Sequence, residues 1–323
     1  MNTLDHLNSD LNSLLMRTAY CLFRTLACVC ALAIFANAQT SPRARVAVLD
    51  FGDSATGERA SEKVRQALLD RTAAANGIIL IDRNLAMAAA RGAGFQGSLN
   101  LAIAEARDIG AAIGCDFFVI GVADTVRRSP STGAAYFESY ASLFIVSART
   151  GRLIYWERPL ERRDTAEEAE KAMLATLGSR DATPGLSVSI FRALEDESAE
   201  RASAVETPAS AIEVMSDDKD SSDARAPRPY RRLKPPYPDS AALAEVEATV
   251  DVLVDIDARG EIGHLEIARW AGYGLDQSVI DTVKQMHFFP AMRDGIAIPM
   301  RVLLRYNFRR TTPDKSASKP PKP

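Results

Sequence analysis

The stretch from Ala248 to Ile256 constrains the fold most, because apolar and polar side chains alternate along it. One alanine, three valines and one isoleucine occupy every second position, and mainly polar residues, two of them aspartates, stand between them. This period of two predicts a half-buried antiparallel β-strand with one apolar and one mainly acidic face. Asp257-Ala258-Arg259-Gly260 then predicts a turn, and residues 261–270 predict a returning strand.

A helix and a third strand follow this hairpin. Leu275, Val279, Ile280 and Val283 have helical spacing, so they predict a helix whose apolar side packs onto the sheet. The last strand, residues 299–308, again alternates and ends at Phe308. Together these elements predict a small two-layer ββαβ domain over residues 229–310, within an α+β protein.

The amino-terminal half predicts a different kind of domain. Residues 45–51 are almost continuously apolar, as in an inner strand covered on both faces. Helical and strand patterns then alternate, and Ala148-Arg149-Thr150-Gly151 predicts a hairpin turn. Thr165 is expected to cap a final helix that runs through Leu177. Residues 43–182 are therefore interpreted as an α/β layered domain with a mixed sheet.

Two segments are predicted to lack a fold of their own. Residues 183–228 are rich in Ala, Ser, Glu and Asp, and ten acids lie between Glu195 and Asp223. Such a composition favours an acidic flexible linker, long enough to let the two domains act far apart. Five basic residues and no acid follow between Arg225 and Lys234. Residues 311–323, rich in Lys, Ser and Pro, are interpreted as a disordered tail.

Residues 1–38 have the features of a targeting segment. Arg17 and Arg24 accompany an apolar run that ends at Phe35, and Ala36-Asn37-Ala38 follows, as before a signal-peptidase cleavage site. An uncleaved membrane anchor is the alternative. After this segment Cys115 is the only cysteine, so no internal disulfide is expected. The formal net charge of −3 argues against a nucleic-acid partner.

No pattern in the sequence predicts catalysis, a cofactor or a bound metal. A dinucleotide-binding turn requires a strand before its glycines. The glycines of residues 92–97 instead follow a helical stretch. Asp251, Asp255 and Asp257 are expected to form a solvated strand face rather than a cation site. His264 and His287 lack partners at ligand spacing. The chain is therefore interpreted as a binding protein and not as an enzyme.

The carboxy-terminal pattern resembles the TonB C-terminal domain over residues 229–309. The resemblance rests on Tyr237-Pro238, Gly260, Leu275-Asp276, Phe289-Pro290-Ala291 and the residues from Gly295 to Pro299. Arg269-Trp270-Ala271-Gly272 departs from it, because members of that family usually have small hydroxyl residues before the glycine. The departure leaves the shape of this loop open.

The resemblance implies a protein that binds other proteins by β-strand addition. The residues expected to contact a partner are Tyr237, Pro238, Arg301, Leu303 and Arg305, with residues 301–306 as the pairing edge. The implied partner is an outer-membrane receptor or another envelope protein; inner-membrane motor proteins and a second copy of the chain are further alternatives. The expected location is the periplasm of a Gram-negative bacterium, with attachment to the inner membrane as the alternative.

Residues 43–180 resemble the amino-terminal domains of the CsgG and TolB group of envelope proteins. Val46 to Phe51, Ile81-Asp82-Arg83, Gly114 to Gly121 and Arg149-Thr150-Gly151 carry this resemblance. It implies an alternative function in envelope assembly or secretion without energy transduction. A secretion pore would need long hairpins, and residues 127–135 are too few for one.

Overall fold

A computed structural model describes residues 43–75, 77–178, 185–204, 213–214 and 224–309. The predictions for the targeting segment and the tail fall outside these residues. Among the helices of the described part, none combines the length and the apolar character needed to cross a lipid bilayer.

The first sheet is mixed, as predicted. Its strands are β1 (Ala44–Val48), β2 (Ile78–Leu80), β3 (Phe117–Arg128), β4 (Tyr136–Ser147), β5 (Leu153–Glu157) and β6 (Leu160–Arg163). The spatial order is β2-β1-β3-β4-β5, and β6 follows β5 on the same side of β4. The pairs that involve β1 are parallel, whereas the pairs from β3 to β6 are antiparallel.

Five helices cover the two faces of this sheet. They are α1 (Ala55–Ala75), α2 (Arg83–Gly92), α3 (Ile103–Ile113), α4 (Ala166–Gly178) and α5 (Gly185–Ala204). Phe118 and Ile120 of β3 pack with α2 and α3, and the alternate residues Phe117 and Val119 pack with α1, α4 and α5. The continuous apolar pattern of these inner strands follows from this double coverage. The Thr165 hydroxyl accepts a hydrogen bond from Glu168 N at 3.3 Å, so the predicted cap is confirmed.

The helix α5 contradicts the predicted disorder for residues 185–204 of the segment 183–228, and residues 205–212 and 215–223 of that segment lie outside the described residues. Leu186 and Ile190 are buried against the first sheet. Glu197, one of the acids expected in a solvated linker, is also buried, and Arg149 donates to it at 2.7 Å. The average composition of the segment suggested disorder because its few apolar side chains, at helical spacing, were outnumbered by Ala, Ser and Glu.

The second sheet has the predicted ββαβ arrangement. Its strands are β10 (Ala248–Ile256), β11 (Ile262–Arg269) and β15 (Met300–Phe308), and β10 pairs antiparallel with both neighbours. The helix α7 (Leu275–Val283) buries Leu275, Val279 and Val283. The remaining elements are β7 (Glu213–Val214), β8 (Ala224–Arg225), β9 (Arg228–Pro229), α6 (Asp239–Leu243), β12 (Phe288–Phe289), β13 (Ala291–Arg293) and β14 (Ile296–Ile298).

The two domains share one hydrophobic core, so the expectation that they act far apart is wrong. Trp270, at the end of β11, is 1% exposed and stacks on Phe144 of β4 with ring centroids 5.9 Å apart. Tyr273 lies edge-on against the same Phe144 ring and also contacts Trp156 of β5. Buried aromatic contacts of this kind stabilise an interface strongly.

Hydrogen bonds from Asn100 fix the register of this interface. The Asn100 Nδ2 donates to the carbonyl oxygens of Thr249 and Trp270 at 2.9 and 2.6 Å, and its Oδ1 accepts from Thr249 N at 3.0 Å. Trp270 N donates to Leu101 O at 3.2 Å. Because these polar groups are paired across the boundary, the two domains have a defined relative orientation.

Candidate functional site

The edge of the second sheet at β15 is the candidate binding site. The strand order is β11-β10-β15-β7, and β7 pairs in parallel with Met300 and Arg301 only. Within the described residues, no other strand pairs with the rest of this edge, from Val302 to Phe308. Unpaired backbone N–H and C=O groups along such an edge are a template for a further strand. The chain itself occupies the first two residues, so the predicted edge is shortened at Arg301.

The structure places Arg301, Leu303 and Arg305 on the outer face of the sheet, away from α7. Val302 and Phe308 are buried on the opposite face, as expected for core residues. Leu303 is 49% exposed and lies opposite Leu253 of β10. It is therefore an accessible apolar residue next to the open edge.

The two arginines are bound by aspartates across the strand pair. Arg301 donates to both carboxylate oxygens of Asp255, at 2.5 and 2.7 Å. Arg305 donates to both oxygens of Asp251, at 2.7 and 3.0 Å. Asp251 and Asp255 are 5–7% exposed, so the expectation of a solvated face is wrong for these two residues, whereas Asp257 is exposed as expected. The arginines cover these carboxylates because each pair is in register on neighbouring strands.

These ion pairs shift the pKa values of the residues that form them. The hydrogen bonds from Arg301 lower the pKa of Asp255, against a smaller opposing effect of burial. The same contact raises the pKa of Arg301, and the contact with Asp251 raises the pKa of Arg305. Because each guanidinium donates to both oxygens of its carboxylate, its orientation is fixed. The outer face therefore has one ion-paired arginine on each side of Leu303, Arg301 and Arg305.

Tyr237 and Pro238 lie at the far end of β15 and have structural contacts. The Tyr237 hydroxyl donates to Val246 O at 2.5 Å, and its ring centroid lies 6.1 Å from that of Phe308. The carbonyl oxygen of Pro238 accepts from Ala242 N in α6 at 2.9 Å. Arg301, Leu303 and Arg305 therefore lie along β15, whereas Tyr237 and Pro238 lie near its carboxyl end, so the five predicted contact residues do not form one cluster.

The loop that departs from the family pattern is held by Asp276, a residue that was predicted only to begin the helix. Its carboxylate accepts from the backbone N–H groups of Ala271 and Gly272, each at 2.8 Å. Burial raises the pKa of Asp276 to about 6, although the two N–H donors act in the opposite direction. The loop is thereby shaped to deliver Trp270 to the other domain. An unusual tryptophan in a position of small residues was the available signal for this contact.

The other residues considered for chemistry lie apart from one another. The glycines of residues 92–97 connect α2 to α3. His287 Nδ1 lies 3.3 Å from Glu261 Oε2, and His264 is exposed on β11. Within the part of the chain that the structure describes, no three His, Cys, Asp or Glu side chains cluster as metal ligands do.

Comparison with protein families matches residues 234–309 to the family described as Gram-negative bacterial TonB protein C-terminal. This segment is a TonB C-terminal domain. The matched residues include α6, the three main strands and α7. This match confirms the predicted TonB resemblance for this domain. The family is one of Gram-negative envelope proteins. Comparison with curated proteins gives no match.

Similar solved structures include domains from three bacteria. The solution structure of the TonB C-terminal domain of Pseudomonas aeruginosa is 21% identical, with a TM-score of 0.25, and the match covers 32% of this chain and 98% of that one. A lipoprotein of Neisseria meningitidis is 12% identical, with a TM-score of 0.28 and coverages of 42% and 92%. The LpoB C-terminal domain of Salmonella enterica is 14% identical, with a TM-score of 0.26 and coverages of 41% and 91%. The resemblance of residues 43–180 to the CsgG and TolB group stays a prediction.

Proposed function

We propose that the protein is a periplasmic adaptor that binds an extended segment of an outer-membrane receptor or another envelope protein by β-strand addition to β15. The observation that carries this proposal is that the side of β15 facing away from β10 has no strand partner from Val302 to Phe308 among the described residues. The TonB C-terminal domain supplies the family context. Binding, and not catalysis, is the proposed activity.

The outer face next to the edge gives the site its side-chain preference. A strand added beside β15 places alternate side chains near Leu303 and the two flanking arginines. Backbone pairing supplies affinity without regard to sequence, while an apolar residue against Leu303 and an acidic residue near Arg305 supply selectivity. Arg305 is suited to this role because its side chain is 58% exposed although it is bound to Asp251.

The fixed orientation of the domains supports an adaptor more than a mobile arm. The TonB C-terminal domain is joined to the α/β domain through the Trp270 and Asn100 contacts. A partner on β15 is thereby held at a defined position relative to the first sheet. Transmission of force from the inner membrane is not part of the proposal.

Envelope assembly without strand binding is the second candidate function. The α/β domain is compatible with it, but a pore of the CsgG type would need long inserted hairpins. The β3–β4 connection occupies only residues 129–135. This short connection disfavours a pore, and docking is the role that we propose for the first domain in this second candidate function.

Site-specific photocrosslinking in a Gram-negative host tests the proposal. A photoreactive amino acid replaces Leu303 in one variant and Ile79 in a matched control, which is 46% exposed on the edge strand β2 of the first sheet. We expect adducts at position 303 with an extended segment of an envelope protein, identified by mass spectrometry, and none with that segment at position 79. Equal adducts at both positions, or none at position 303, would reject the proposal.

A further inference from the structure

A groove runs between the two domains along the edge of the first sheet, away from β15. Its first part is a cavity of about 390 Å³ between β5 and β11, which the helix α7 also lines. A second cavity of about 650 Å³ adjoins it at Trp156 and lies between residues 157–163 and the helix α6. The binding function proposed above does not use either cavity.

The lining of the first cavity shows how the two strands face it. Residues 152–156 line it without a gap, and so do residues 264–267. Side chains alternate between the faces of a sheet, so a strand that turns a face to a cavity lines it with every second residue. An unbroken run indicates that β5 and β11 each present an edge, with backbone N–H and C=O groups, to the same space.

Both of these edges are open in the described part of the chain. β5 is the last strand of the first sheet and pairs with β4, whereas β11 is the last strand of the second sheet and pairs with β10. The one additional bridge joins Ala102 to Arg269 at the end of β11 and leaves residues 262–267 open on that side. Two unpaired edges on one cavity form a site for a strand inserted between them.

The side chains along the groove define what such a strand would contain. Leu153, Trp156 and Leu265 give the first cavity apolar walls. The second cavity is lined by Arg158, Arg162 and Arg163, against the single acid Glu157. Arg162 and Arg163 have carboxylate partners. Arg158 lies over the Tyr140 ring at 4.6 Å and has no ion pair within the described residues.

We propose that this groove binds an extended segment of another protein, inserted as a β-strand between β5 and β11, with apolar residues in the first cavity and acidic residues beside Arg158. The inserted strand joins the two sheets. β10 and β15 lie between this site and the edge described above. The groove is therefore a second binding site, at the opposite edge of the second sheet.

The test uses the full chain and a phage-displayed library of random 12-residue peptides. We expect enrichment of peptides in which alternating apolar residues precede or follow a run of Asp and Glu. An enriched peptide, synthesised and labelled, should lose at least about tenfold in affinity with Arg158→Glu, since a favourable charge contact becomes a repulsive one. The control Arg91→Glu changes the same charge at an exposed position of α2 outside the groove and should leave affinity within about twofold.

Amide hydrogen exchange locates the bound peptide. We expect slower exchange in Leu153–Glu157 and Ile262–Ile267 when the peptide is bound. Protection confined to Met300–Phe308 would overturn this inference while supporting the proposed function of β15. The inference is also overturned if no peptide is enriched, or if the same two segments become protected by concentration-dependent dimerisation without peptide.

Discussion

The indole N–H of Trp270 donates a hydrogen bond to the carbonyl oxygen of Gly151 at 3.0 Å, across the boundary between the two domains. Gly151 lies in the turn between β4 and β5, and Trp270 lies at the end of β11. A single side chain of the TonB C-terminal domain thus reaches both the hairpin backbone and the Phe144 ring of the first domain. The relative position of the domains depends on this contact.

Replacing this tryptophan is expected to uncouple the domains. Trp270→Ala removes a fully buried ring and its hydrogen bond, which should lower the free energy of unfolding by about 3–5 kcal/mol. Urea unfolding should show two transitions instead of one, and small-angle scattering a larger radius of gyration. The control Tyr230→Ala deletes an aromatic ring that is 60% exposed and should change stability by less than about 1 kcal/mol. A single unchanged transition for Trp270→Ala would contradict the coupling.

The glycine two residues further on is predicted to be required for the same contact. A Cβ at Gly272 would lie 2.3 Å from Cε1 of Phe144, and the backbone φ of 71° disfavours any other residue. Gly272→Ala should therefore lower the melting temperature more than Gly295→Ala. At Gly295 φ is 78°, but an added Cβ would have no atom within 4 Å beyond the neighbouring residues of the chain. The control isolates backbone strain from the clash. Equal shifts for the two variants would show that the clash is relieved without cost.

The two Asp–Arg pairs are predicted to differ in strength. Arg301→Ala leaves the buried Asp255 carboxylate without its guanidinium and should lower the free energy of unfolding by about 1–3 kcal/mol at pH 7. Arg305→Ala should have a smaller effect, because Arg269 Nε lies 3.6 Å from Asp251 Oδ2 and remains. Urea titrations of both variants provide the comparison.

The contribution of the Asp255–Arg301 pair should disappear in acid. Because Arg301 lowers the pKa of Asp255 in the folded state, the stabilisation is present above the unfolded value of about 3.9 and is lost as the pH falls through the folded value. The stability difference between the wild type and Arg301→Ala should therefore shrink below about pH 4. A difference that stays constant between pH 7 and pH 3 would exclude this ionic origin.

Asp276 is predicted to give the opposite pH dependence. Its folded pKa of about 6 lies above the unfolded value of about 3.9, so its contribution to stability is full below the unfolded pKa and is lost as the pH rises to about 6. The change should approach about 3 kcal/mol in total. The stability of the wild type relative to Asp276→Asn should thus fall between pH 4 and pH 6.5. A flat difference over this range would mean that the carboxylate stays ionised.

The regular elements were predictable because their patterns are local. The alternation from Ala248 to Ile256 predicts β10 with its bounds, and the apolar spacing after Leu275 predicts α7. The helix α5 was missed because composition was averaged over a long acidic segment. The hydrogen bonds of Asp276 to the loop before α7 were missed because no periodic pattern marks them, and the pairs of Asp251 and Asp255 were missed because they depend on neighbours distant in sequence.

The interface between the domains could not be derived from either domain alone. Trp270 and Phe144 belong to separate patterns, and no periodicity relates them. The departure of Arg269-Trp270-Ala271-Gly272 from the family pattern indicated where the TonB C-terminal domain is unusual. It did not indicate that Phe144 of the first domain contacts this loop. Contacts of this kind follow from tertiary packing, which a single sequence does not encode in a local pattern.

Residue-resolved amide exchange of β15, with and without the receptor segment that cross-links at position 303, tests the central claim most directly. Strand addition predicts slower exchange between Val302 and Phe308 on binding, because edge N–H groups enter new hydrogen bonds. Unchanged exchange along this edge, with the segment bound, would show that the contact is made through side chains or another surface and would contradict the account.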